Sequence, residues 1–139
     1  MEQLAILSNR IPKTNGRKSA ARLTRNSKII KTIISAVQAK KGENIISLDL
    51  RNIQEAVADF FIICEASNQP QIRALSEYVE KQVEEKCGEK PYHQEGYKSM
   101  KWVLVDYVNV VLHIMTPETR NFYKLEDMWS DSKAEKHSD

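Results

Sequence analysis

The segment WVLVDYVNVVLHIMTPETRNFYKLEDMWSD, residues Trp102–Asp131, decides the fold more than any other part of the chain. Two short runs rich in β-branched and aromatic residues, Trp102–Tyr107 and Val110–Met115, flank Val108 and Asn109. This pattern predicts two antiparallel strands joined by a tight hairpin turn. Asn109 is expected to take the left-handed conformation that such turns often require.

The second half of this segment predicts a final helix that begins at residues 116–118. Thr116 can cap its N-terminus, Pro117 has a backbone φ suited to the first turn, and Glu118 places a negative charge where the helix dipole favours it. Helical spacing places Phe122, Leu125 and Trp129 on one face, so we expect them to pack inward. Because Phe122 is expected to be a buried aromatic residue, Phe122→Ala should lower the free energy of unfolding by about 3 to 5 kcal/mol. The other faces of this helix carry Tyr123, Glu126, Asp127 and Asp131.

Upstream, hydrophobic periodicity and turn residues predict further elements. Their order is helix, strand, strand, helix and short edge strand, followed by the hairpin and the last helix. We therefore predict an α+β (mixed α/β) domain, with a small mixed sheet of four to five strands packed with about three helices. The upstream elements are a helix from Ser27 to Gly42, strands Ile45–Leu50 and Phe60–Glu65, a helix from Pro70 to Gly88, and an edge strand Pro91–Gln94.

Charge is strongly segregated along the chain. Residues 1–42 hold ten Lys or Arg and one acid, Glu2, whereas residues 43–139 hold eleven Lys or Arg and eighteen acids. We predict a flexible basic N-terminal arm over residues 1–26, a folded domain over residues 27–131 and a disordered tail over residues 132–139. An acidic domain favours a basic protein partner over a phosphate backbone. An organellar transit peptide is an alternative interpretation of the arm.

The two cysteines and the hydropathy pattern bear on the compartment. Cys64 and Cys87 form no CxxC pair, and no secretory signal or long apolar segment precedes them. These features predict a soluble protein in a reducing compartment. We expect a bacterial-type cytoplasm, with an organelle as the minor alternative.

The hairpin segment and an upstream block, Ala58–Ala74 (ADFFIICEASNQPQIRA), closely resemble the ribosomal silencing factor family, also called the Iojap family. The resemblance extends from Ile29 to Asp131, and the family often has Gly-Asp where this chain has Val108-Asn109. Further matching positions are Ser67, the Glu95-Gly96 pair, His113, Glu118, Arg120, Phe122-Tyr123, Leu125-Glu126, Trp129 and Asp131.

This resemblance implies a fold related to nucleotidyltransferases, so nucleotide transfer is a rival function. That chemistry needs a Gly-Ser loop for the triphosphate and neighbouring carboxylates for Mg²⁺. None of the four glycines lies beside a Ser, and no Asp-x-Asp occurs, so Asp49 or Asp59 would have to converge on Asp106 in space. His113 is expected to be a partly buried structural imidazole. We predict no enzymatic activity, catalytic residue, cofactor or metal.

The resemblance implies a translation repressor that binds the large ribosomal subunit through its protein number fourteen and blocks joining of the small subunit. Both faces of the Trp102 strand carry large apolar groups, so either the sheet is covered on both sides or one face awaits a partner. Trp102 itself fits interface and core equally well. The predicted partner-binding residues are Trp102, Leu104, Asp106, Tyr107, Tyr123, Glu126, Asp127, Trp129 and Asp131.

Three alternatives accompany this prediction. The basic arm could contact ribosomal RNA, although the chain lacks an aromatic RNA-reading motif. The resemblance also allows a large-subunit assembly factor, particularly for organellar relatives. Finally, an exposed apolar face is compatible with a homodimer off the ribosome.

Overall fold

The computed structural model describes residues 23–138. Along the chain these residues form helices and strands in an order that matches the predicted one until the last helix. In our numbering the elements are α1 (Lys28–Ala39), β1 (Glu43–Asp49), β2 (Phe60–Glu65), α2 (Gln69–Cys87), β3 (His93–Glu95), β4 (Trp102–Asp106), β5 (Val110–Met115), α3 (Pro117–Tyr123), α4 (Leu125–Met128) and β6 (Lys133–His137).

The strands form one mixed sheet in the order β3-β4-β5-β2-β1-β6. Its central pair, β2 and β5, is parallel, and every other neighbouring pair is antiparallel. The parallel pair requires a crossover, and α2 lies in that connection. The predicted α+β class with a mixed sheet is therefore confirmed, with six strands in the described residues where four to five were expected.

Each face of the sheet carries its own apolar core. Helices α1 and α2 cover one face, where Ile33 and Val79 pack with Phe60 and Leu112 of the central strands. The opposite face is covered by Leu125 of α4 and by the turns that follow β1. Of the two arrangements open from sequence, the sheet covered on both sides is the one observed. Residues of this second core in β1, β2, β4 and β5 are Leu48, Phe61, Ile63, Trp102, Leu104, Val111 and Met115.

Local signals place the ends of α2 where the sequence predicted them. The side chain of Asn68 accepts a hydrogen bond from the Gln71 backbone N–H, and a proline occupies the first turn. The helix ends at Gly88, whose φ of 69° is the left-handed conformation that glycine adopts without steric cost. Helical spacing gives α2 one buried stripe, because Ile72, Leu75, Val79 and Val83 are all fully buried.

The hairpin between β4 and β5 forms, but its turn differs from the prediction. Val108 has a φ of 73° and takes the left-handed conformation expected for Asn109. The Asn109 N–H donates to the Tyr107 carbonyl at 2.9 Å, which closes a three-residue turn around Val108. The Asp106 carboxylate accepts from the Val108 N–H at 2.7 Å. This side-chain contact stabilises a backbone conformation that a β-branched residue rarely adopts.

Two predicted boundaries require correction. The tail expected to be disordered contains β6, which pairs antiparallel with β1 from Ile45↔His137 to Asp49↔Lys133. The predicted basic arm lies outside the described residues as far as residue 22. Its last residues contact the domain, since the Leu23 N–H donates to the Asp59 carboxylate at 3.1 Å. The folded unit therefore extends beyond residues 27–131 at both ends.

The final helix is also not continuous. Lys124 takes a left-handed φ of 47°, which ends α3 and places α4 in a new direction. Phe122, predicted to pack inward, is instead 76% exposed, whereas Leu125 is fully buried. The break changes which residues share a face, because periodicity across Lys124 no longer applies.

Candidate partner-binding surface

The two short helices present an apolar patch to solvent. Phe122 is 76% exposed and Met128 is 53% exposed, and the only other large hydrophobic side chain this open in the described residues is Tyr92, beside β3. The Phe122 and Tyr123 rings meet edge to face, with centroids 4.8 Å apart. We call the exposed part of these two helices and of the turn after them the α3–α4 surface. It comprises Phe122, Tyr123, Met128 and the exposed acids Glu118, Asp127 and Asp131.

Local sequence explains why this surface forms where it does. The Thr116 side chain accepts from the Thr119 N–H at 3.3 Å, and Pro117 supplies the first helical position. Glu118 adds a carboxylate in the first turn, where the helix dipole favours negative charge. These signals start α3 directly after β5, so the surface is attached to a central strand of the sheet.

Beneath this surface a series of aromatic rings connects it to the second core. Trp102 lies 5.1 Å from Tyr123, and Phe61 lies 5.9 Å from Trp129 and 4.6 Å from His113, centroid to centroid. The Trp102 indole N–H donates to His113 Nδ1 at 3.0 Å, which fixes that ring nitrogen as an acceptor. The exposed patch therefore rests on closely packed rings, of which Phe61, Trp102 and His113 are buried. A surface held in this way loses little conformational freedom on binding.

An arginine that sequence analysis did not single out for a role fixes the direction of α4. The Arg120 guanidinium donates to the Glu126 carboxylate at 2.7 and 2.9 Å and to Glu65 at 3.2 Å. It also donates to the backbone carbonyl of Asn44 at 2.6 Å. Its side chain is only 10% exposed. Arg120 thus connects both helices of the surface to β1 and β2.

Several predicted binding residues lie in the protein interior. Trp102, Leu104, Asp106 and Tyr107 are each at most 5% exposed, so in this conformation they support the sheet and do not offer a contact surface. The sequence left both arrangements open, because a two-sided apolar strand looks the same whether its second face is covered by helices or by a partner.

The other predicted residues lie nearer the surface. Asp127 and Asp131 are exposed, whereas Tyr123 and Trp129 are half-buried against the second core. Glu126 is half-buried and engaged by Arg120, so it is not a free carboxylate. Phe122 and Met128 were missed, because an unbroken helix was assumed. The long-range contacts of Arg120 and the burial of Leu125 accompany the new direction after Lys124.

Asp49, Asp106 and Cys64 each lie in surroundings that give them a structural role. No group of three or more His, Cys, Asp or Glu side chains in residues 23–138 is arranged to hold a metal ion. Asp49 is hydrogen-bonded to Arg51 at 2.6 Å, and Asp106 caps the hairpin turn. Burial raises the pKa of the Cys64 thiol to about 12, so this group stays protonated and is a poor nucleophile.

Within the described residues, no helix combines the length and apolarity needed to cross a bilayer.

The fold is that of a small α+β domain, and its α3–α4 surface exposes an aromatic ring and several carboxylates. The chain belongs to the family described as ribosomal silencing factor during starvation, whose model matches residues 24–139. It is 33% identical over 107 residues to the ribosomal silencing factor RsfS of Halalkalibacterium halodurans, an alignment that covers 77% of this chain and 90% of that protein.

Two further comparisons extend the family relationship. A mouse protein named mitochondrial assembly of ribosomal large subunit protein 1 is 35% identical over 74 residues, which is 52% of this chain and 32% of the mouse protein. A crystal structure of a Chromobacterium violaceum protein superposes with a TM-score of 0.69 at 32% identity, covering 80% of this chain and 91% of that one. The fold is thus shared with a solved structure at substantial sequence identity.

Proposed function

We propose that this protein is a ribosomal silencing factor that binds the large ribosomal subunit through its protein number fourteen and blocks association with the small subunit. Translation is repressed because the two binding events exclude one another. No bond is made or broken, which accords with relatives that are named as silencing factors and not as enzymes.

The observation that carries this proposal is the exposure of Phe122 on α3, in a stretch of chain that also exposes three carboxylates. A phenyl ring that is 76% exposed gains from burial in a partner, because its apolar surface leaves water. Phenylalanine is also enriched at protein interfaces. Glu118, Asp127 and Asp131 supply negative charge for a basic partner. Arg120 holds the surface in place before binding, which reduces the entropy lost on association.

Steric exclusion requires only a stable interface of ordinary size. Such interfaces bury about 1,600 Å² in total, or about 800 Å² on each partner. The described residues expose 7765 Å², so a contact of this size uses a small share of the surface. The degree of repression then rises with the ratio of free factor to its dissociation constant.

The first test compares two exposed aromatics in a subunit-joining experiment. Phe122→Ala should weaken binding to purified large subunits by roughly tenfold or more, as expected for an aromatic interface residue. Tyr92→Ala is the matched control, because Tyr92 is 50% exposed but lies beside β3. Sucrose gradients should show free subunits with the wild-type protein and with Tyr92→Ala, and joined ribosomes with Phe122→Ala at the same concentration.

Both variants should fold normally. An exposed side chain contributes little to stability, so Phe122→Ala should change the free energy of unfolding by no more than about 0.5 kcal/mol. Urea denaturation followed by circular dichroism measures this change. If wild-type protein saturates the large subunit and joined ribosomes persist, the steric mechanism is wrong.

A second candidate function is assistance in large-subunit assembly. It is favoured by the name of the mouse relative. Depletion of the protein distinguishes the two functions: an assembly factor predicts accumulation of precursor large subunits in growing cells, whereas a silencing factor predicts normal particles and continued translation under starvation.

A further inference from the structure

The beginning of the described chain carries positive charge without any negative charge. Residues 23–42 contain five cations and no acid, and all five side chains belong to exposed residues. We name this set the basic α1 face. It consists of Lys28 and Lys31 on α1, Arg25 before the helix, and Lys40 and Lys41 after it.

Most of this charge forms no ion pair within the described residues. Arg25 pairs with Glu135 of β6, and the Lys40 ammonium lies 4.8 Å from the centre of the Tyr78 ring. Lys28, Lys31 and Lys41 form no ion pair with another described residue. Lys28 and Lys31 lie three positions apart, so they share one side of the helix.

A groove of about 480 Å³ runs beside this face, between α1 and the β1–β6 edge of the sheet. Besides Arg25 and Lys31, its polar lining includes Asn26, Ser35 and Ser47, whose hydroxyl is hydrogen-bonded to His137. Its apolar lining consists of Ile30, Ile34 and Phe60. Lysine, arginine, serine and asparagine side chains are the groups that proteins use to contact nucleic-acid phosphates. The acid in the groove is Glu135, which Arg25 already engages.

We propose that the basic α1 face binds the phosphate backbone of double-stranded RNA. A membrane surface fits poorly, because the exposed residues between 24 and 41 include no aromatic or large aliphatic side chain that could insert among lipids. Single-stranded RNA fits poorly for a related reason, since its recognition relies on exposed aromatic rings on which bases stack. Recognition of a duplex through its phosphates needs neither feature.

The position of this face makes it independent of the α3–α4 surface. Helix α1 packs on the first core, whereas Leu125 and Trp129 pack on the second, so the two surfaces lie on opposite faces of the sheet. One is basic and the other acidic. A single domain can therefore contact RNA on one side while a basic protein occupies the other.

The test measures binding of the full-length protein to a fluorescein-labelled RNA duplex of mixed sequence by fluorescence anisotropy. The variant combines Lys28→Gln, Lys31→Gln and Lys41→Gln. We expect about tenfold weaker binding at low salt and a shallower dependence of log K on log salt, by about one unit for each phosphate that a lysine no longer neutralises. The matched control removes the same charge from other exposed lysines, through Lys81→Gln, Lys86→Gln and Lys98→Gln.

The control variant should retain most of the affinity for the duplex. Equal affinities for the α1 variant and the control overturn the proposal, because charge alone would then explain binding. So does an undiminished affinity of the α1 variant, since the lysines between residues 1 and 22 are present in every protein compared. Preferred binding to single-stranded RNA, or to phosphatidylserine vesicles with no binding to the duplex, also overturns it.

The outcome is separable from that of the proposed function. The α1 variant leaves Phe122 and its acidic surroundings unchanged, so failure to bind the duplex says nothing about the subunit-joining result with Phe122→Ala.

Discussion

At the scale of single residues, the two tryptophans occupy different polar environments. The Trp102 indole N–H donates to buried His113 at 3.0 Å. The Trp129 indole nitrogen is also buried, yet it makes no hydrogen bond within the described part of the chain. A buried donor without an acceptor lowers stability, whereas a satisfied one adds to it. The two rings should therefore respond differently to the same substitution.

Replacement of each indole by phenylalanine tests this difference. Trp102→Phe removes the donor to His113 and should lower the free energy of unfolding by about 1 to 3 kcal/mol. Trp129→Phe, the matched control, should cost less, because it also removes an unsatisfied polar group. Urea denaturation measures both values. A larger loss for Trp129→Phe would show that packing, and not the Trp102–His113 hydrogen bond, dominates.

At the same scale, Asp49 makes stability depend on pH. Side-chain hydrogen bonds from Arg51 hold the pKa of the Asp49 carboxyl below its ordinary value of 3.8, against the opposing effect of burial. The folded state therefore binds fewer protons than the unfolded state near that pH. The stabilisation is complete above the ordinary pKa and is lost as the pH falls through the lowered one.

Asp49→Asn should accordingly flatten the acid side of the stability profile. Between about pH 5 and about pH 2, the free energy of unfolding should fall less steeply in this variant than in the wild-type protein. Asp127→Asn, which removes an exposed carboxyl from α4, should leave the slope close to that of the wild type. Identical slopes for all three proteins would contradict the assignment to Asp49.

At the scale of elements, the direction of α4 depends on one arginine. Arg120 spans from α3 to Glu126 beyond the break and to Glu65 and Asn44 in the sheet. Its removal leaves two partly buried carboxylates without their counter-charge, which is costly even when each is partly solvated. The α3–α4 surface should therefore loosen before the rest of the domain unfolds.

Arg120→Gln should lower the free energy of unfolding by about 1 to 3 kcal/mol, the range for hydrogen bonds to charged groups. Because α4 is released, trypsin should cleave after the exposed Lys124 faster than in the wild-type protein. Arg73→Gln removes an exposed arginine from α2 and serves as the control. Unchanged cleavage at Lys124 would show that packing of Leu125 alone holds α4.

Elements with local signals were predictable from the sequence. Asn68, Pro70 and Gly88 mark the ends of α2, and unbroken apolar runs indicated β2 and the hairpin strands. Strand β6 was missed, because its sequence KAEKH has no apolar alternation and every residue before His137 is exposed. Its conformation comes from pairing with β1, which a local pattern does not encode.

The candidate site was less predictable than the fold. Periodicity correctly predicted that Leu125 is buried, but it placed Phe122 on the same face. The break at Lys124 was not predictable, because neither proline nor glycine marks it. Lys124, with its left-handed φ, lies between two helices that Arg120 links to each other and to the sheet through contacts distant in sequence. Buried Trp102 likewise became distinguishable from an interface residue only once its ring was seen to pack on Tyr123.

At the scale of the whole molecule, the strand order intermixes the two halves of the chain. Strands β1 and β2 come from the first half and are flanked by β5 on one side and by β6 on the other, both from the second half. If the backbone is cut between Gly88 and Pro91, the amino-terminal fragment keeps two strands with unpaired edges on both sides. Neither fragment can then complete the sheet by itself, and mixing them in equal amounts should reconstitute one interlocked domain.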